Sequence, residues 1–197
     1  MEYLSPAELR AGLSRIRESP ADGGRLVLIV RRPEAGEREV LAEGLLDPAN
    51  GLAGDNWLRR GSRKTPDGSA DPQRQVTIMN SRVAELVARG PERMPLAGDQ
   101  LYVDLDLSVD NLPAGTLLTI GEAVLEVSAV PHTGCAKFVE RFGPDAMRFC
   151  GSRLGRGLRL RGLNALVIRA GVVRCGDLAT KSPLAAPRTG GRNERLP

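Results

Sequence analysis

The sequence predicts a mainly β protein, a closed or nearly closed barrel with a few short helices. Three observations point there. Gly (23) and Pro (14) supply 37 of the 197 residues, and helix interiors lose about 1 kcal/mol per Gly and about 3 per Pro. A bundle of long helices does not fit that composition. Only six residues are aromatic (three Phe, two Tyr, one Trp), so the core must be aliphatic. The apolar runs follow one another as short hairpin-like pairs without regular strand–helix alternation, which argues against a doubly wound sheet. Closure into a barrel removes exposed edges. The length suits one domain with a core large enough to do without disulfides.

Ser5-Pro6-Ala7-Glu8 reads as a capping box with proline at the first helical position, and Leu9, Leu13 and Ile16 follow at helical spacing. Residues 1–23 are therefore expected to be a helical extension. Arg25 to Arg31 is a β-branched apolar run, a turn follows at Pro33 to Gly36, and Glu39 to Leu46 returns, giving a hairpin. Asp47 to Pro72 loses all periodicity and reads as a long loop of the kind that is often functional. Gln75 to Met79 is a short strand. Asn80 then caps a helix whose Val83, Leu86 and Val87 share a face and which ends at Gly90-Pro91. Leu101 to Leu107, Thr116 to Ile120 and Ala123 to Val130 read as strands, and Pro131 stops the last of them. Residues 131–151 are irregular or helical. Leu158 to Leu160, Asn164 to Arg169 and Val172 to Arg174 are strand-like. From Thr180 onward the chain is rich in Pro, Arg and Gly without periodicity. The expected organisation is an extension at 1–23, a barrel at 24–180 and a basic tail at 181–197.

Several function classes are disfavoured. The longest apolar run, Leu26 to Val30, is far short of the roughly 20 residues that span a bilayer. The first residues lack the basic and apolar regions of a secretory signal. Three cysteines, Cys135, Cys150 and Cys175, make no disulfide framework, so a cytoplasmic protein with reduced thiols is expected and no membrane partner. One histidine excludes His-rich metal chemistry. Dinucleotide, phosphate-loop and hydrolase-elbow motifs are absent. A zinc site from His132, Cys135, Cys150 and Cys175 lacks paired Cys-x-x-Cys spacing. From Arg153 onward ten Lys or Arg face two acids, a balance of +8, while the whole chain carries +4 and the first 152 residues therefore −4. The C-terminal third is thus expected to face something anionic. Nucleic acid is disfavoured, because few aromatics are available to stack bases.

One short segment concentrates chemistry: His132-Thr133-Gly134-Cys135-Ala136-Lys137-Phe138. A cysteine follows the end of a strand, with a glycine that lets backbone approach a ligand and with Lys137 and His132 close in sequence. Neighbouring positive charge favours a thiolate, the reactive and metal-binding form. A lone cysteine is otherwise a small apolar core residue, the role expected of Cys150 and Cys175.

The chain from Gly98 to Asp177 resembles the MOSC domain, the module named after the C-terminal part of molybdenum-cofactor sulfurase. The resemblance is carried by Gly98-Asp99-Gln100-Leu101, Asp106-Leu107-Ser108, Leu112-Pro113-Ala114-Gly115, Ile120-Gly121-Glu122-Ala123 and His132 to Phe138. It continues through Arg141-Phe142-Gly143, Leu160 to Ala165 and Gly171 to Asp177, with Gly51 to Asp55 and Gln75 to Ile78 upstream. Their order and spacing, rather than any one piece, carry the likeness. Two positions depart from the family pattern: Gly98-Asp99-Gln100 stands for Gly-Glu-Asn, and Gly134 stands where many members have proline.

The resemblance implies a barrel-like fold and a functional cysteine at Cys135, which either ligates molybdenum held by a pterin dithiolene or carries sulfur as a persulfide. Related members reduce N-hydroxylated small molecules with electrons from a partner. A molybdenum cofactor and a separate electron- or sulfur-donor protein are therefore expected. The pterin phosphate needs cations, and Arg161 and Lys137 lead the candidates, ahead of Arg141 and Arg159, because a guanidinium fork matches phosphate oxygens. His132, Thr133, Gly134, Asn164, Asp55 and Asp177 are candidates for orienting polar cofactor atoms. The rival reading is a non-catalytic module for an anionic ligand or nucleic acid.

Overall fold

The computed structural model describes residues 3–182, so the expected basic tail lies outside the described residues apart from Lys181 and Ser182. The chain begins with α1 (Pro6–Ala11), α2 (Leu13–Arg17), β1 (Gly24–Arg31), β2 (Glu39–Leu41), β3 (Glu43–Asp47), β4 (Gly51–Leu52) and α3 (Trp57–Arg60). It continues with β5 (Val76–Asn80), α4 (Ser81–Ala88), β6 (Leu101–Asp104), β7 (Leu117–Ile120) and β8 (Ala123–Val127). The last elements are α5 (Ala136–Gly151), α6 (Arg153–Gly157), β9 (Leu163–Arg169), β10 (Gly171–Arg174) and β11 (Leu178–Ser182).

Seven strands close a barrel in the order β11-β7-β8-β9-β5-β6-β1, with β1 returning to β11 through Gly24↔Ala179 and Arg25↔Leu178. The fold class expected from sequence is therefore the one observed. β5 and β6 pair in parallel, bridged by α4, and the other neighbours in the ring are antiparallel. β2 adds to β1 outside the ring, and β10, β3 and β4 form a second sheet.

Period-two alternation sorts side chains into two cores. Val76 and Ile78 of β5 and Leu101 and Val103 of β6 point into an all-aliphatic barrel interior. Their neighbours Met79 and Tyr102 point outward, into a second core with α1, α4 and α5 that holds Phe138, Phe142 and Cys150. Phe138 and Phe142 lie one helical turn apart with ring centroids 5.0 Å apart. Burying each stabilises the fold by about 1.5–3 kcal/mol, which anchors the start of α5.

α5 is two helical segments across a kink. Gly143 has φ 88°, and Pro144 follows it. Pro144 has no N–H for the carbonyl four residues back, Glu140, and that carbonyl instead accepts from the Tyr3 hydroxyl at 2.8 Å. The expected caps are present: Ser5 and Glu8 form the capping box on α1, and Asn80 caps α4 through the amides of Arg82 and Val83.

Four expectations are corrected. The strand read at Glu39–Leu46 breaks at Ala42, so β2 stays with the barrel while β3 joins the second sheet. The loop read at Asp47–Pro72 contains β4 and α3. Leu158–Leu160 is a turn after α6 rather than a strand. Thr180–Ser182, read as the start of irregular chain, belongs to β11 and pairs with β7. Its burial is supplied by strands distant in sequence, which a local pattern cannot register.

Candidate functional site

A single open cavity of about 540 Å³ gathers most of the sequence-derived candidates. His132, Thr133, Cys135, Lys137, Arg141, Arg161 and Asn164 all line it. The thiol sits at the N-cap of α5, where its backbone is extended (φ −129°, ψ 173°) and its side chain makes no capping bond. The Cys135 carbonyl accepts from the Phe138 and Val139 amides, starting the helix, and the cysteine itself is exposed with a free thiol. Lys137 and Arg141 are one turn apart on the same helix and face the same cavity.

Behind the thiol lies a buried ion cluster. Asp99, fully buried, accepts from Arg161 Nη1 at 2.6 Å, and its other oxygen lies 3.1 Å from His132 Nε2. Arg161 Nη2 donates to the Ala97 carbonyl, and its guanidinium stacks 4.9 Å over the Phe138 ring. Burial pushes the Asp99 carboxyl up, but Arg161 and His132 outweigh it and hold it at about 2. Burial, then repulsion from Arg161, pulls the His132 imidazole below its ordinary value against the attraction of Asp99. Arg161 is thus a fixed, charged wall whose two Nη atoms are engaged. Lys137 and Arg141 meet no carboxylate among the described residues, and Arg141 Nη1 donates to the Leu96 carbonyl at 2.7 Å.

The other wall comes from chain that sequence reading passed over. Arg32, Arg38, Arg59, Arg60, Arg74 and Asn56 line the cavity with Thr77, Ala97 and Gly98. Among the described residues the lining carries eight Lys or Arg side chains and one carboxylate, Glu34. Five of the eight come from the first half of the chain, outside the basic C-terminal third. Clustering in space, not along the chain, makes the cationic face. The Arg31-Arg32-Pro33 step at the end of a strand and the Arg59-Arg60 pair in aperiodic chain were the available signals.

Asp55 lies behind this wall and does not line the cavity. Its carboxylate accepts from Arg32 N, Arg32 Nε, Arg32 Nη2 and the Trp57 amide at 2.8–3.0 Å, so it positions Arg32. Gly134 does not line it either, since a Cβ there would meet Met147 Sδ at 2.4 Å and the glycine serves packing against α5. Asn164 Nδ2 donates to the Val130 carbonyl and fixes the segment before the thiol. Arg159 instead donates to the Leu112 and Leu107 carbonyls, and Asp177 accepts from the Arg174 amide in a turn.

The remaining thiols diverge. Cys150 is buried in the second core, as expected, and burial pushes it up to about 12. Cys175, expected in the core, is exposed in the turn after β10, with Sγ 3.5 Å from the Leu41 carbonyl. The alternating pattern through β10 continued past the last strand residue, so the sequence placed it inside. No group of three or more His, Cys, Asp or Glu able to hold a metal occurs among the described residues. No helix there is long and apolar enough to cross a membrane.

No family model matches the chain, and no curated protein matches it. Solved structures do. The fold is similar to the YuaD protein from Bacillus subtilis, with TM-score 0.61 and 16% identity over 81% of this chain and 96% of that one. It is similar to YiiM from Geobacillus stearothermophilus, at TM-score 0.57 and 16% identity over 81% and 75% of the two chains. YiiM from Escherichia coli gives TM-score 0.53 and 21% identity over 82% and 71%. At these identities the likeness is one of fold.

Proposed function

We propose that this chain is a MOSC-type protein that holds the molybdenum cofactor in the cationic cavity, with the Cys135 sulfur as its ligand to the metal. The observation that carries the reading is the position of that thiol. Of three cysteines, only Cys135 is both exposed and inside the cavity. The fold likeness to YuaD and YiiM supports it, as do the residues of the MOSC resemblance.

The cavity fits such a group. One soft sulfur donor suits a metal whose other ligands are the pterin's own sulfurs. Lys137 and Arg141 offer two charges with no carboxylate partner to a phosphate. About 540 Å³ is in the range of small-molecule sites. Arg161 Nε is buried without a hydrogen-bond partner, a state that polar groups rarely keep once a ligand is in place. Held there, the cofactor would supply redox chemistry for reducing an N-hydroxylated small molecule with electrons from a separate donor. The chain's own residues do the holding: Cys135 fixes the metal end, Lys137 and Arg141 the phosphate, and Thr133 and Asn164 the polar edge. Asp99 keeps Arg161 and His132 in place as the wall behind.

Elemental analysis of protein made in a host that synthesises the cofactor tests this. Wild type is expected to retain molybdenum, and Cys135→Ser to retain less by more than about tenfold with an unchanged melting temperature. Equal molybdenum in both removes Cys135 from the site. A cyanide-labile sulfur on Cys135 in metal-free wild type marks sulfur transfer instead of reduction.

A further inference from the structure

A reduction that removes a hydroxyl from nitrogen needs protons as well as electrons. An N–OH group takes up two electrons and two protons to give N–H and water. The N–O bond breaks, the nitrogen gains one proton, and the oxygen leaves with the other as water. The electrons come from a separate reduced donor protein and the nitrogen's proton from solvent. The proton for the leaving oxygen is best delivered by a side chain held in the cavity, with a pKa near the working pH.

Few lining residues fit that task. Seven of the eight cations are guanidinium groups, which do not give up a proton in proteins. Lys137 carries an amine whose ordinary pKa is about 10. The Glu34 carboxylate is exposed and engaged by Arg59, and the Cys135 thiol is taken as the metal ligand. His132, the one histidine in the chain, is the lining residue whose ordinary titration range includes neutrality.

The ring is held from behind. The His132 side chain is 14% exposed, and its Nε2 is enclosed 3.1 Å from Oδ1 of Asp99, a carboxylate with no exposed surface. Arg161 Nη1 fixes Asp99 in turn at 2.6 Å. Of the two ring nitrogens this leaves Nδ1 for a molecule in the cavity, and among the described residues nothing hydrogen-bonds to it. The carboxylate keeps the proton of the neutral ring on Nε2, so Nδ1 carries a proton only when the ring is charged. Burial opposes that charge, as do Arg161 in the turn before β9 and Arg32 just after β1, while Asp99 just before β6 favours it. The net result is an imidazolium more acidic than free imidazole.

We propose that His132 is the catalytic acid of this cavity: positioned by Asp99, its Nδ1–H hands a proton to the hydroxyl oxygen that leaves an N-hydroxylated substrate. The assignment rests on the reductive reading of the cavity and deepens it by naming the proton source.

With one histidine in the chain, its imidazole 15N signals identify themselves. NMR of the full, metal-free chain is expected to show the neutral ring protonated on Nε2 and a midpoint below the ordinary 6.5. A neutral ring protonated on Nδ1 overturns the proposal. Molybdenum-retaining protein is then assayed for reduction of benzamidoxime by reduced methyl viologen across pH. In wild type kcat/KM is expected to rise as pH falls and to level off at the imidazole midpoint of that same protein. His132→Gln, which keeps an N–H for Asp99, is expected to retain molybdenum, lose kcat by roughly a hundredfold or more and lose that pH dependence. A variant with the wild-type rate and profile overturns the assignment. So does a wild-type inflection away from the imidazole midpoint, a comparison that stands even if the variant fails to fold. Loss of molybdenum from a folded His132→Gln also overturns it, by making the ring a cofactor contact. Wild type that never retains molybdenum removes the reductive reading and the acid with it, whereas active, molybdenum-bearing wild type with an equally active His132→Gln removes the acid alone.

Discussion

The cavity contains two kinds of cation, and their difference shows how it combines rigidity with binding capacity. Arg32 and Arg161 are buried, each gripped by a carboxylate with no exposed side-chain surface, Asp55 and Asp99. Arg38, Arg60, Lys137 and Arg141 have no such partner. A buried pair with its hydrogen bonds made is a fixed piece of architecture, and its charge is spent. An unpartnered cation adds little to the fold and remains free to attract an anion. The same residue type therefore builds the wall in one place and meets the ligand in another.

The contrast predicts opposite behaviour on substitution. The largest effect belongs to Asp99→Asn, which leaves Arg161 buried without its counter-charge. Stability is expected to fall by about 3–5 kcal/mol, roughly 6–20 °C in melting temperature for a chain of this size. A melting temperature within 2 °C of wild type, on the order of a 1 kcal/mol effect or less, would show the pair to be dispensable.

Acid supplies a smaller version of the same perturbation. Asp99 titrates at about 2 in the fold against an ordinary 3.8. As pH drops, the unfolded chain takes up that proton first, so the pair's contribution is complete above the ordinary value and is lost as pH falls through about 2. Thermal melts of wild type should lose stability between about pH 4 and pH 2, and Asp99→Asn should show a shallower slope over that interval. Parallel curves would remove Asp99 as the cause.

The smallest effect on stability is expected at the other class. Lys137→Gln should leave folding within about 0.5 kcal/mol of wild type while reducing retained molybdenum. A variant that instead melts many degrees lower would place Lys137 in the architecture and erase the distinction.

Local chemistry made much of the fold legible. The capping box at Ser5–Glu8, the Asn80 cap and the strands around Leu26, Ile78 and Leu125 follow from side-chain period and backbone preference, which act over a few residues. β11 was not legible, because Thr180–Ser182 become a strand only by pairing with β7 across the chain. The site divides the same way. Cys135, Lys137 and Arg141 share one loop and helix, so one stretch of sequence disclosed them. Arg38 arrives from the turn between β1 and β2 and Arg60 from the end of α3, and no local pattern distinguishes an arginine facing a cavity from one facing water.

The sequence by itself determined an aliphatic barrel, the starts of α1 and α4 and a thiol beyond the end of a strand, since composition and periodicity are properties of neighbours in the chain. Closure of the barrel by β11, the exposure of Cys175 and the sorting of eight cations into paired and unpaired were decided only by tertiary structure. Burial and counter-charge depend on what folding brings within a few ångströms, and Asp99 reaches Arg161 across 62 residues of chain.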